Sequence, residues 1–151
     1  MLENRENHIL IPIIIALFLN YIISTRNWDN KYKYKNKGLL PKGYLVGIIW
    51  IFIFMLLGNA HYILYKKNKI SIASVFLILV LLYCISYPII TQLNQKKGKI
   101  MNTISLILSS VLMLLVFNES IEAFYYTVPL FLWTSFVNYS DSIICSNFMN
   151  Y

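Results

Sequence analysis

The sequence predicts an all-α membrane protein: a single domain over residues 1–151 formed by a bundle of five transmembrane helices. Three observations predict it. The chain of 151 residues is 58% hydrophobic and 13% charged, with a mean hydropathy of +0.61, whereas a soluble domain carries about a quarter charged residues. Too few polar side chains are present to cover a water-facing surface. Five apolar stretches, at about 8–24, 44–65, 70–90, 100–118 and 123–145, contain no Lys or Arg. Each is near the roughly 20 residues that cross about 30 Å of hydrocarbon as a helix. In lipid the backbone amides must pair within the segment, which selects helix over isolated strand.

The first stretch, HILIPIIIALFLNYIIS, follows Arg5 and has a short apolar core, as a signal peptide does. Glu3 and Glu6 precede it, however, and no small-x-small cleavage site follows, so a retained span is favoured. Its β-branched run Ile13-Ile14-Ile15 prefers strand in water, a preference that is weak against the bilayer constraint. The second stretch carries Trp50, Phe54, Gly58 and His61 at spacings that place them on one helix face. Gly58 and Ala60 are small enough to let another helix approach closely. Asn59 and His61 are polar groups at or near membrane depth, where buried polar groups are costly. Asn59 is expected to hydrogen-bond between helices. His61 stands about one turn from Lys66 and Lys67 and is expected near the interface, with axial ligation of a haem iron as the alternative.

The third stretch contains Ser86, Tyr87 and Pro88, followed by Gln92, and the fourth contains Ser105, Ser109 and Ser110; the serines are expected to pack helices rather than line a pocket. The fifth holds Pro129, which removes one helical amide, and an aromatic-rich face made by Trp133, Phe136 and Val137, with Asn138 beyond it. Asp141 is the one acidic residue inside a stretch, and near the helix end it is expected to be interfacial or paired rather than a proton relay. Cys84 and Cys145 both lie in apolar runs with no C-x-x-C pair or Cys/His spacing, which excludes a disulfide framework and a zinc site.

The basic residues lie in or beyond the loops. Arg26, Lys31, Lys33, Lys35, Lys37 and Lys42 fall between the first two stretches, and Lys96, Lys97 and Lys99 between the third and fourth; Arg5, Lys66, Lys67 and Lys69 fall on the other side if there are five crossings. The positive-inside rule then places the first and third loops and the C-terminus in the cytoplasm. Which membrane holds the chain is not encoded. The alternating Lys and Tyr of the long first loop suit either lipid headgroups or an anionic ligand, beside the plainer role of a solvated loop at a membrane surface. No nucleic-acid partner is expected, because the positive charge makes no stripe on a helix face.

No Ser/His/Asp set, paired carboxylates at membrane depth, H-E-x-x-H or phosphate-cradling Gly loop is present, so neither catalytic residues nor a metal site is expected. What remains is an apolar, aromatic-lined cavity among helices, suited to a flat hydrophobic ligand held by ring faces and few polar groups.

The run Pro41-Lys42-Gly43-Tyr44-Leu45-Val46-Gly47-Ile48-Ile49-Trp50 resembles the P-P-x-x-x-x-G-x-x-W signature of the TspO/MBR family, the translocator or peripheral-type benzodiazepine receptor proteins. Gly58-x-Ala60-x-Tyr62 falls at the family's spacing after that Trp. Pro129-x-x-Leu132-Trp133-x-x-Phe136 resembles the fifth-helix motif P-Y-x-x-W-x-x-F, and Asn27-Trp28 resembles N-x-W-Y. The resemblance runs from about residue 27 to residue 147. It implies a bundle of five transmembrane helices, often homodimeric, that binds porphyrin or haem-type tetrapyrroles, sterols and benzodiazepine-type ligands in a pocket capped by the first loop. Trp50, Phe54, Trp133, Phe136, Val137 and Trp28 then become candidate ligand-binding residues, and Gly47, Gly58 and Ala60 candidate helix-packing positions.

The chain departs from the pattern at Lys42 in place of the second Pro, at Leu39 in place of a Trp, at Tyr83–Thr91 in place of the third-helix N-x-x-W-S region, and at Asp141 in place of a late Asn. These changes bear on ligand identity more than on fold. The implied function is a membrane receptor or transporter for a hydrophobic small molecule, with no required cofactor and porphyrin or haem as possible ligands. The alternatives are a structural or assembly membrane protein without a ligand, and, less favoured, a porphyrin-degrading enzyme.

Overall fold

The structure, a computed structural model, describes residues 4–25, 43–93 and 95–149. Among them are five α-helices and no strand: α1 (Arg5–Thr25), α2 (Gly43–Lys67), α3 (Ile72–Leu93), α4 (Gln95–Glu119) and α5 (Ile121–Met149). Each corresponds to one apolar stretch of the sequence. Their lengths run from 21 to 29 residues, so each reaches roughly 30 Å or more along its axis. Among the described residues, two stretches, Leu45–Lys67 and Gly98–Glu119, are long and apolar enough to cross a membrane, and Ile72–Tyr87 is a shorter apolar helix.

The boundaries differ from expectation at several places. Helix α3 begins at Ile72, because Ser71 stops it: its Oγ accepts from Ser74 N at 3.0 Å, satisfying an amide that the first turn leaves unpaired. Ser120 does the same for α5, accepting from Ala123 N at 3.3 Å. Helix α4 begins at Gln95, so Lys96, Lys97 and Lys99, expected in a loop, belong to its first turns; extending the helix satisfies backbone groups that a longer loop would leave to solvent. Helix α5 likewise continues past 145 to Met149.

Helices α2, α5, α4 and α3 pack in sequence around a ring, α3 closing back on α2, while α1 docks outside the ring against α2 and α3. One end of this ring is tight. Ala60, Ala73 and Ala123 are fully buried there with Leu57, Leu64 and Val116, and the small side chains let three helices approach. A polar clasp closes the same end: Lys67 Nζ donates to the Glu119 carbonyl, and Glu119 Oε1 accepts from Ala73 N at 3.3 Å. The carboxylate thereby faces the partial positive charge of the α3 N-terminus.

The outside is apolar. Phe18 is 61% exposed and Leu114 67%, and Ile14, Ile48, Ile107 and Leu132 are exposed with them. Asn59, Ser74, Asn102, Ser109, Thr127 and Thr134 are buried. Hydrophobic side chains on the exterior with hydroxyls and amides inside reverse the usual arrangement of a water-soluble domain and match a lipid solvent, in which polar groups must be satisfied between helices.

Candidate functional site

The other end of the ring opens into a cavity of about 100 Å³, lined by Val46, Trp50, Tyr87, Asn102, Ser105, Trp133, Thr134, Val137 and Asn138. All four ring helices contribute. Val46 and Trp50 are one turn apart at the start of α2, and Trp133, Thr134, Val137 and Asn138 share a face of α5, since helical spacing of three or four superimposes side chains. Bulky rings here, in place of the alanines at the tight end, hold the helices apart.

The wall is two-sided in chemistry. Trp50, Trp133, Val46 and Val137 supply an apolar, aromatic part. Asn102, Ser105, Thr134 and Asn138 supply a polar part, and much of it is already pinned. Asn138 Nδ2 donates to the Asn102 carbonyl at 2.8 Å and to the Thr134 carbonyl at 2.8 Å, and its Oδ1 accepts from Thr103 Oγ1 at 3.3 Å. Ser109 and Thr134 hydroxyls lie 2.9 Å apart, joining α4 to α5 just below. Asn138 is thus a strut between helices as well as a lining residue. The indole Nε1 of Trp133 differs: it is buried and finds no hydrogen-bond partner among the described residues. A buried donor without an acceptor costs about 1–3 kcal/mol, a cost that a ligand oxygen would relieve.

The candidates from the sequence separate into groups. Trp50, Trp133 and Val137 line the cavity together. Phe54 is buried behind Trp50, ring centroids 5.5 Å apart, and Phe136 sits beside Trp133 at 5.7 Å; each buttresses a tryptophan without being part of the lining. Trp28 lies outside the described residues, as do the side chains of Asp141 and Cys145. Cys84 is buried in the core.

Gly58 is a close-packing position. A Cβ built on it would fall 2.5 Å from the His8 carbonyl oxygen and 2.8 Å from Ile9 Cα, so α1 rests on it. Ala60 is buried in the core. At Gly47 a Cβ meets nothing within 4 Å among the described residues. Asn59 does join helices, accepting from Arg5 Nε at 2.8 Å. His61 is half-buried and packs against α1, outside the cavity. Among the described residues no group of three or more His, Cys, Asp or Glu converges to hold a metal ion.

Several lining residues escaped the sequence reading. Ser105 read as a packing serine and Tyr87 and Asn138 as polar residues without an assigned neighbour, while Asn102, inside the fourth stretch, drew no reading. Val46 and Thr134 carried a signal, since they lie four before Trp50 and one after Trp133, but the signal names a helix face and not what that face meets.

A sequence model of the TspO/MBR family matches residues 8–144. Among curated proteins, none matches the chain.

Proposed function

The chain belongs to the TspO/MBR family, and from that premise we propose that it is a receptor or transporter binding flat hydrophobic molecules of the porphyrin, haem or sterol type in the cavity between Trp50 and Trp133. It is an integral membrane protein of the receptor/transporter kind. The observation that carries the ligand reading is the pairing of two tryptophan walls with one unsatisfied donor, Trp133 Nε1. Indole faces stack on planar rings, and the buried N–H selects a ligand that brings an acceptor oxygen to its rim, as a propionate, a keto group or a sterol hydroxyl does.

The cavity volume of about 100 Å³ lies below the roughly 300–1,000 Å³ typical of pockets that enclose a whole drug-sized ligand. A tetrapyrrole therefore enters edge first, with its acceptor edge toward Asn102 and Trp133, and full engagement turns the tryptophan rings or parts α2 from α5. The reading is binding, with Trp50, Trp133 and Val137 as walls, Phe54 and Phe136 as buttresses, and Trp28 as a contact from the first loop. All five helices cross the bilayer in this reading, with the first loop, the α3–α4 junction and the C-terminus in the cytoplasm, and a homodimer joins two copies through their lipid-facing surfaces.

The test is a porphyrin titration of the purified full chain in lipid nanodiscs, followed by tryptophan quenching, with Trp50→Ala and Trp133→Ala alongside. Saturable quenching in the parent, weakened at least tenfold in both variants and with the porphyrin spectrum unchanged in the dark, is the expected result. A folded parent that shows no saturable binding overturns the tetrapyrrole assignment and favours an assembly role, and conversion of the porphyrin in the dark favours an enzyme.

A further inference from the structure

At the end of the bundle away from the cavity, α1 meets α2 through polar groups. His8 Nδ1 and His61 Nδ1 are 2.7 Å apart, with ring centroids 4.8 Å apart. Arg5, about one turn earlier on α1, donates from Nε to Asn59 Oδ1 at 2.8 Å. The rings of Tyr62 and Tyr65 flank His8, at centroid distances of 5.6 and 5.2 Å. His8 is 4% exposed, and its carbonyl rests on Gly58, so the two helices are seated in one register. None of these residues lines the cavity. The chain has two histidines in all, and both are in this pair.

Two imidazole nitrogens at hydrogen-bond distance share one proton. One ring donates from Nδ1–H, and the other accepts on the Nδ1 lone pair and carries its own proton on Nε2. A first extra proton goes to Nε2 of the donor ring. The bridge survives and becomes charge-assisted, which strengthens it. A second extra proton has one place left, the Nδ1 lone pair that the bridge uses. It leaves two cations with N–H groups aimed at each other, and in a low-dielectric setting that repulsion is severe. The first and the second extra proton therefore have opposite effects on the bridge.

The surroundings reinforce the second step. On α1 the near charge is Arg5, another cation, while Glu6 is exposed. On α2 the flanking Tyr62 and Tyr65 are neutral, and Lys66 and Lys67 add positive charge toward the helix end. The first turns of α3, residues 72–82, hold no titratable side chain. At this end α5 brings Glu122 and Tyr125, both exposed, and the half-buried Tyr126. Helix α1 stands outside the ring that encloses the cavity, so it can loosen without dismantling the walls.

The geometry points to His8 and His61 as a binding site for a single extra proton, a latch that holds α1 on α2 and releases it when a second proton arrives. The full chain in lipid nanodiscs, labelled with 15N at histidine alone, gives signals from these two rings and no others. The expected result is a scalar coupling between the two Nδ1 nuclei across the hydrogen bond, kept through the first protonation and lost at the second. Faster hydrogen exchange of α1 amides around His8 accompanies the loss. In a His8→Gln, His61→Gln double variant, whose amides can bond but not titrate in this range, the acid step in α1 exchange disappears. Absence of the coupling at every pH in the parent, or an α1 exchange profile that keeps the same acid step in the double variant, overturns the proposal.

Discussion

A methyl group added at Gly58 would meet backbone atoms of α1, the His8 carbonyl oxygen at 2.5 Å and Ile9 Cα at 2.8 Å. Backbone cannot swing aside as a side chain does, so Gly58→Ala pushes α1 off α2 and disturbs the His8–His61 and Arg5–Asn59 contacts at once. Overpacking of this kind costs about 1–3 kcal/mol, read as a lower unfolding midpoint in detergent. Gly47→Ala is the control on the same helix: with nothing within 4 Å of the added Cβ among the described residues, the alanine gains about 0.5–1 kcal/mol of helix propensity, and the midpoint holds or rises. At Trp133 the ring and the N–H separate by substitution. Trp133→Phe keeps an aromatic wall and removes the buried donor, so affinity for a flat ligand with an acceptor edge falls by about 0.5–1.5 kcal/mol, roughly two- to tenfold in Kd. A matched ligand lacking the acceptor loses less, and equal losses for the two would show that the N–H plays no part.

Helix ends make the next level testable. Ser71 fixes the start of α3 through its bond from Ser74 N, and Ser71→Ala costs about 1 kcal/mol, measured as faster amide exchange in the first turn of α3. Glu119 at the end of α4 serves two neighbours, taking Lys67 on its carbonyl and the α3 amide of Ala73 on its carboxylate. Glu119→Gln leaves the hydrogen bond to the amide and removes the charge at the helix N-terminus, a loss of about 0.3–1 kcal/mol that shrinks at high salt. A salt-independent loss would mean that the side chain acts by packing. The α4–α5 pair is held at the cavity end by Asn138 and by the Ser109–Thr134 contact, so these helices behave as one unit while α1 remains the separable element.

For the whole molecule, the contrast between an apolar exterior and buried hydroxyls and amides sets the solvent as lipid. The proposed crossing by α2 separates Lys35 and Lys69, which precede and follow it in the sequence. Single cysteines placed at Lys35 and at Lys69, in a Cys84→Ala, Cys145→Ala background, are expected to react with an impermeant maleimide from opposite sides in sealed vesicles, and labelling of both from one side would exclude an odd number of crossings between them and force a different topology. The same architecture divides the molecule by function, with alanines and a charged clasp at one end and aromatic walls around a cavity at the other.

Length, apolarity and the absence of Lys and Arg fixed the number and approximate position of the helices from sequence, because a bilayer admits few alternatives for such segments. The spacing around Trp50 and Trp133 likewise marked both tryptophan-bearing helix faces, since a single helix determines its own face. The partners of a face are decided elsewhere. That Trp50 and Trp133 line one cavity with Asn102 and Thr134, that Gly58 receives α1, and that His8 finds His61 all depend on how distant helices rotate and slide against each other. The sequence by itself determined the helices and their apolar exterior, through local hydropathy. The cavity and the histidine pair were decided by tertiary packing, because they bring together residues of different helices, such as Trp50 with Trp133 and His8 with His61, whose meeting no local periodicity encodes.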